Sequence, residues 1–412
     1  MDNTKNSRVP ELRFPEFEKE WEEKSFGELY EKHNVKNDLS FGVDKIISVA
    51  NMYYKEDANV GNEEYLRSYN IFRLGDIAYE GNKSANYAYG RFVENTIGDG
   101  IVSHVFDVYS PLSPDNCLGY WKYAINYERI MRPVLEKSTI KSTMMTNLIA
   151  KDFLKQKVLV PSSAEQQRIA DCLSAVDELI SAQDQKVELL KERKQGLMQQ
   201  LFPRSGETTP RLRFPGFTGE WEEKKMSDVF TRITRRNTEN NQNVLTISAQ
   251  YGLISQLDFF KKTVSASDVT GYYLLKKGEF AYNKSSSQGR PFGAIKPLRL
   301  YDQGVVSTLY ICFKCNDSRE IDFWDQYFDA GLLDKELVSI AQEGARNHGL
   351  LNIPTGGFFN LSVLSPSIDE QQEIALCLSA LDDTIQAETD KLEALKDHKK
   401  GLMQQLFPQP TK

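Results

Sequence analysis

The chain is written twice, and that limits its architecture more than any other feature. RFPEFEKEWEEK from Arg13 returns as RFPGFTGEWEEK from Arg213. EQQRIADCLSA from Glu165, closing in KQGLMQQLFP, returns as EQQEIALCLSA from Glu370, closing in KKGLMQQLFP. Between residues 161–203 and 366–408 roughly 27 of 43 positions match. Solenoid repeats run about 20 to 50 residues, so a period near ~200 means duplication of a whole domain. The 412 residues divide into an opening segment and body (1–160), a closing segment (161–205), a second opening segment and body (206–365) and a second closing segment (366–412).

The closing segments carry a coiled-coil pattern. Ile169, Leu173, Val176, Ile180, Val187, Leu190, Leu197 and Leu201 recur at alternating threes and fours, the spacing of an apolar seam. Pro161 with Ser162 and Ser163 makes a helix start, and Pro203 with Gly206 a stop. A helix over 163–202 would span about 60 Å. The second copy repeats the seam at Ile374, Leu378, Leu381, Ile385, Leu392, Leu395, Leu402 and Leu406. It also repeats the polar interruptions, Gln183 and Lys194 in one copy, Glu388 and Lys399 in the other. Matched interruptions favour mutual antiparallel pairing. A lone buried Lys is costly, so the expected register sets Gln183 against Lys399 and Lys194 against Glu388.

The bodies follow a different pattern. Runs such as IVSHVFDVYS and VVSTLYICFKC alternate in the strand manner between Gly, Asn, Asp and Pro clusters, and IDFWDQYFDAGLLDKELVSIAQ has helical spacing. Each body is expected to be a compact α+β domain. No stretch approaches the roughly 20 apolar residues of a membrane span, and the first residues lack the apolar run of a signal peptide, so the expected location is the cytoplasm. Cys117, Cys172, Cys312, Cys315 and Cys377 are thinly spread and odd in number, which suits reduced thiols.

Catalytic patterns are missing. There is no G-x-G-x-x-G, and Gly81-Asn82-Lys83-Ser84 lacks the other glycines of a phosphate loop. Cys312 and Cys315 have zinc-knuckle spacing, but a zinc site needs four ligands and His33, His104, His348 and His398 are scattered. They read instead as two small thiols buried in a strand. No cofactor or metal is expected.

What recurs inside the bodies is polar. LGDIAYEGNKSANYAYGRF presents Asn82, Lys83, Ser84, Tyr87, Tyr89 and Arg91, and KGEFAYNKSSSQGRPFGAI presents Asn283, Lys284, Ser285, Ser286, Gln288 and Arg290. On the sequence, the first loop opens with two extra residues, Glu80 and Gly81. Lys and Ser suit phosphate oxygens, whereas the forks of Arg and of Asn or Gln suit guanine and adenine edges. A second polar segment precedes each closing helix: Lys141, Ser142 and Thr143 in STIKSTMMTNLIAKDF, and Arg346, Asn347 and His348 in EGARNHGLLNIPTGGF. These align Asn147 with Asn352 and Phe153 with Phe358. The net charge of −7 resides in the two closing segments, which leaves the bodies about neutral and not repelled from DNA.

The RFPxFxxEW opening, the E-Q-Q-x-I-A helix start and the GLMQQLFP ending, each present twice, resemble the specificity subunits of type I restriction-modification systems. That resemblance implies two target-recognition domains (1–160 and 206–365), each meeting one half of a bipartite site in double-stranded DNA. It implies two conserved spacer helices (161–205 and 366–412) packed as an antiparallel coiled coil in a pseudo-twofold arrangement. It also implies a non-catalytic subunit on which modification (methyltransferase) and restriction subunits assemble, with no membrane involved. Two rival readings are a non-DNA coiled-coil adaptor and a self-contained DNA methyltransferase. The latter needs an Asn/Asp-Pro-Pro-aromatic site, which Asn352-Ile353-Pro354-Thr355 does not provide.

Overall fold

A computed structural model describes residues 8–56, 62–113, 116–141, 145–248, 252–260, 268–285, 291–341 and 351–408. The chain forms two compact units, Met1–Asp184 with Asp390–Lys412, and Gln185–Thr389. The closing segments are two 39-residue helices, Ser163–Leu201 and Ile368–Leu406. Each unit takes a part of both. This division differs from the segments read off the repeats because the end of one helix packs into the same core as the start of the other.

The two bodies repeat one topology. In the first unit Glu22–Ser25 pairs antiparallel with Lys157–Val160, and in the second Glu222–Lys225 pairs with Ser362–Ser365. Each body therefore leaves and rejoins the frame through neighbouring strands. Between them lies a four-stranded antiparallel sheet, in the order Tyr30–Lys32, Asp107–Pro111, Ile77–Glu80, Arg91–Glu94 in one unit. The other has the order Phe230–Ile233, Ile311–Cys315, Phe280–Asn283, Ala294–Pro297. The long alternating runs are each broken into two strands. Gly100–Val102 turns at Ser103 before Asp107–Pro111, and Gln303–Val306 turns at Ser307 before Ile311–Cys315. Alternation continues across each turn, which is why the sequence reads as a single strand.

Phe153, fully buried on the helix Ala150–Lys155, stacks between Phe26 at 4.5 Å and Phe92 at 4.4 Å. Its counterpart Phe358 stacks on Tyr282 at 5.4 Å. Cys312 and Cys315, three apart in one strand, point to opposite faces and join separate apolar clusters. Burial pushes the Cys312 thiol up to about 12, which keeps it protonated and unreactive.

The repeated sequence motifs converge in each unit. Arg13 makes a two-pronged bond to Glu165 at the start of the first helix, both contacts 2.8 Å, and Arg213 does the same to Glu370 at 2.7 and 2.8 Å. The indole of Trp21 donates to Glu165 at 3.2 Å and meets Phe407 edge-on at 6.2 Å. Trp221 meets Phe202 in the same way at 6.2 Å. Backbone bonds from Leu12 to the Gln405 carbonyl and from Leu212 to the Gln200 carbonyl fasten the opening segments alongside. In the first unit the start of the first helix lies beside the end of the second, and in the second unit the reverse holds, so the helices run antiparallel.

The register differs from the expected one. Lys194 pairs with Asp382 at 2.6 Å and Lys399 with Asp177 at 2.5 Å, the same contact in each copy. Glu388 instead receives Lys186 at 2.5 Å, six positions and about 9 Å along the helix from Asp382. The expected pairing counted seam positions alone, and Asp177 and Asp382 lie outside the seam. Their positions are shared with the bodies: Tyr123 donates to Asp177 at 2.7 Å and Gln326 to Asp382 at 2.7 Å. Gln183 is buried within the first helix's packed face.

Two predictions follow from these cores. Phe407 is fully buried, so Phe407→Ala should destabilise the first unit by about 3 to 5 kcal/mol, and Phe202→Ala the second; hydrogen exchange read unit by unit would show which one loosens. Glu94 is buried and accepts the backbone N–H groups of Gly119 and Lys122 at 3.1 and 2.9 Å. Burial raises its carboxyl to about 7. A carboxyl that holds its proton more tightly when folded favours the fold below about pH 4.5, and that contribution is lost as pH rises toward 7. Glu94→Gln, which keeps an acceptor for both amides, should flatten this slope and raise stability at pH 8 by on the order of 2 kcal/mol; urea midpoints across pH 5 to 8 measure it.

Candidate nucleic-acid interface

Each polar loop of the sequence closes a hairpin in the four-stranded sheet. Glu80 pairs with Arg91 in one unit and Asn283 with Ala294 in the other, so the loops are residues 81–90 and 284–293, equal in length. The apparent two-residue insertion in the first loop is therefore corrected. Two tyrosines set the frame: Tyr79 donates to the carbonyl of Tyr89 and Tyr282 to that of Phe292, both at 2.7 Å. Glycine closes each hairpin, at Gly90 with φ 76° and Gly293 with φ 84°. A β-carbon there would lie 2.5 Å from the Glu80 carbonyl or 2.1 Å from that of Asn283, so no other residue fits. Asn82-Lys83-Ser84 and Asn283-Lys284-Ser285 thus stand out of frame by two positions, and the shared letters mark no shared place.

The described residues that follow the second polar segment lie against the loop in both units. The Thr146 amide donates to the Gly81 carbonyl and the Leu351 amide to that of Lys284, each at 2.9 Å, which confirms the frame and the pairing of Asn147 with Asn352. Thr146 also shares a 2.6 Å bond with the Tyr79 hydroxyl. Burial raises the Tyr79 phenol, and the Thr146 bond partly offsets the shift. Asn82 bridges to Met145, so the loop and these residues form one surface. The sequence had pointed to neither Thr146 nor Glu80, whose roles are local and internal.

The proposed contact residues fall into distinct groups. Asn82, Lys83 and Ser84 are exposed and Tyr87 is half-buried, with the Ser84 and Tyr87 backbones bonded to each other at 3.1 and 3.2 Å. Tyr89 is buried, and its hydroxyl donates to Glu136 at 2.8 Å. It supports the loop from beneath. Arg91 is occupied internally, donating to Glu80 at 2.7 Å and to the Ala50 carbonyl at 2.9 Å. Asn283, Lys284 and Ser285 are half-buried, and Asn283 accepts the Ser285 amide at 3.1 Å in a local turn. Lys141 ends the strand Thr139–Lys141; its side chain, and Ser142, Thr143, Ser286, Gln288, Arg290, Arg346, Asn347 and His348, lie outside the described residues.

In the first unit the hairpin presents the exposed Asn82 amide, Lys83 and the Ser84 hydroxyl, which suits hydrogen bonding to base edges and phosphates. Among the described residues no cluster of His, Cys, Asp and Glu is arranged to hold a metal, and no helix is long and apolar enough to cross a membrane.

Comparison with known proteins agrees with this geometry. Residues 18–192 match the family described as the type I restriction modification DNA specificity domain. A type I restriction enzyme specificity subunit from Methanocaldococcus jannaschii is 27% identical over 300 residues, covering 66% of this chain and just under two thirds, 66%, of that protein. A type I restriction-modification S subunit crystal structure from M. genitalium superposes with a TM-score of 0.56 at 13% identity, covering 98% of this chain and 100% of that one. A structure described in terms of complex assembly and conformational transition of the type I system gives a TM-score of 0.52 at 14% identity, covering 94% and 97%. Those two likenesses establish a shared fold. The domain match lies over residues 18–192, and the chain as a whole is similar in sequence or fold to type I specificity subunits.

Proposed function

We propose that this chain is the non-catalytic, sequence-reading subunit of a type I restriction-modification complex. Each unit meets one half of an asymmetric bipartite site in double-stranded DNA. The two helices set the gap between half-sites, and the chain serves as the scaffold for modification (methyltransferase) and restriction subunits. The observation that carries this reading is the repetition of one body with loops of equal length and frame but different residues. Identical frames suit two half-sites of similar geometry, and different side chains suit different bases. Entry and exit through adjacent strands make each body replaceable without disturbing the frame.

Replacing residues 226–365 with the equivalent body of a relative, in the chain expressed with its modification subunits, should change one half-site of the genome-wide methylation map and leave the other intact. A change in both would mean that the bodies read jointly. Inserting four residues into each helix adds about 6 Å and should lengthen the gap by one or two base pairs, at a spacing of about 3.4 Å per pair. An unchanged gap in the map would remove the helices from that role. Measured duplex binding of the assembled complex separates this reading from a non-DNA adaptor.

A further inference from the structure

The hairpin of Ile47–Ser48 with Tyr53–Tyr54 has a counterpart in Leu245–Ser248 with Gly252–Ser255, and in the first unit it is fastened to the loop 81–90. Arg91 makes the connection. Its Nη2 donates to the Ala50 carbonyl at 2.9 Å, its Nε to Glu80 at 2.7 Å, and its guanidinium carbon sits 5.2 Å from the centre of the Tyr87 ring. One side chain thereby holds the turn of the hairpin, the strand before the loop and the loop itself. The turn is tightly wound: the Met52 amide donates to the Ser48 carbonyl at 2.8 Å, and Met52 has φ 52°, a left-handed conformation that residues other than glycine take infrequently. Such a conformation persists where the surroundings over-determine it, and it collects at ligand-contacting sites. On either side of it the turn presents Tyr53, 51% exposed, and Asn51, which is exposed and has no hydrogen-bond partner among the described residues.

We propose that Asn51 and Tyr53 form a further DNA-contacting element of the first unit, with Arg91 as the positioning residue that holds this turn and the loop 81–90 in one surface. The proposal rests on the DNA-reading function above. A free amide presents a donor and an acceptor side by side, the pattern that an adenine edge accepts, and an exposed phenol offers a ring face and a hydroxyl to base or phosphate. Among the described residues the other unit does not repeat the clasp that Arg91 makes. In the other body Ala294 stands at the place of Arg91, Asn283 at that of Glu80, and Gly252 at the strand position held by Tyr53. Its loss should therefore be felt in one half-site only.

The test uses the full chain expressed with its modification subunits, and methylation of duplexes carrying each single base change in the two half-sites found by genomic mapping. Asn51→Ala and Tyr53→Ala, both at exposed positions, should lower discrimination about tenfold at one or more base pairs of the half-site that survives replacement of residues 226–365. The other half-site should be unaffected. Arg91→Ala should relax the pairs governed by Asn51 or Tyr53 together with those governed by the loop. Arg91→Lys, which can retain the Glu80 pair, should restore part of that discrimination, a recovery that a purely structural defect would not confine to particular base pairs. Asn82→Ala and Asn86→Ala, both at exposed positions of the loop 81–90, serve as loop comparators. If these comparators change the profile and Asn51→Ala and Tyr53→Ala do not, the added element is overturned while the reading function stands. If none of the variants changes either half-site, the element is overturned while the reading function is judged by the replacement of residues 226–365; if the Asn51 and Tyr53 variants alter both half-sites equally, the element is not part of the first unit's reading surface and the proposal is overturned.

Discussion

A carboxylate buried at the start of each long helix organises everything around it. Glu165 and Glu370 are almost wholly removed from water, and an isolated carboxylate in that position would be very costly. The helix N-terminus supplies a favourable field, but the decisive partner is the two-pronged arginine, Arg13 or Arg213. Because that arginine sits in the opening segment, meeting the carboxylate fastens this segment across the helix. It also brings the neighbouring tryptophan onto the Leu-Phe-Pro that ends the other helix. A planar fork is required, which a lysine could not supply. The RFP and EW letters, the glutamate of EQQ and the terminal LFP are thus parts of one contact in each unit.

From this frame each body projects as an insertion. Its first and last strands pair with each other, so the polypeptide within can be rebuilt without moving the ends. The Tyr79 and Tyr282 hydroxyls and the closing glycines repeat the same hairpin in both bodies. Loop tips can then differ while their supports stay constant, a division of labour that suits recognition.

The parts of this design that were legible in the sequence are those governed by periodicity or repetition. The seam predicted helices over positions that the structure bears out within a residue or two, since apolar spacing and a flanking proline act locally. The α+β character of the bodies was legible for the same reason. The frame of the loops was not, because Asn-Lys-Ser occurs in both copies two positions apart and the true frame is set by strand pairing across the sheet. Helix register escaped too: the acids that answer Lys194 and Lys399 are held by Gln326 and Tyr123 from the bodies, and no pattern along a helix records that. Tyr89 and Arg91 looked like ligand contacts because their chemistry suits one. Only tertiary structure reveals that Glu136 and Ala50 have already engaged them.

The sharing of helix ends between units also bears on synthesis. The second unit, Gln185–Thr389, is continuous in the chain and has all its core residues once residue 389 has emerged. The first has its sheet, its helix start and its buried Glu165 long before that, but lacks Leu406 and Phe407, which complete its core. At about 5 to 20 residues per second, roughly 10 to 45 s separate residue 184 from residue 407. Through that interval Trp21, Tyr120 and Tyr127 have no Phe407 to cover them. The Leu-Phe of the first helix, Leu201 and Phe202, is made within this interval and carries the same letters, so the nascent first body has a near-identical substitute at hand before its own partner exists. The unit that begins first is the one that finishes last.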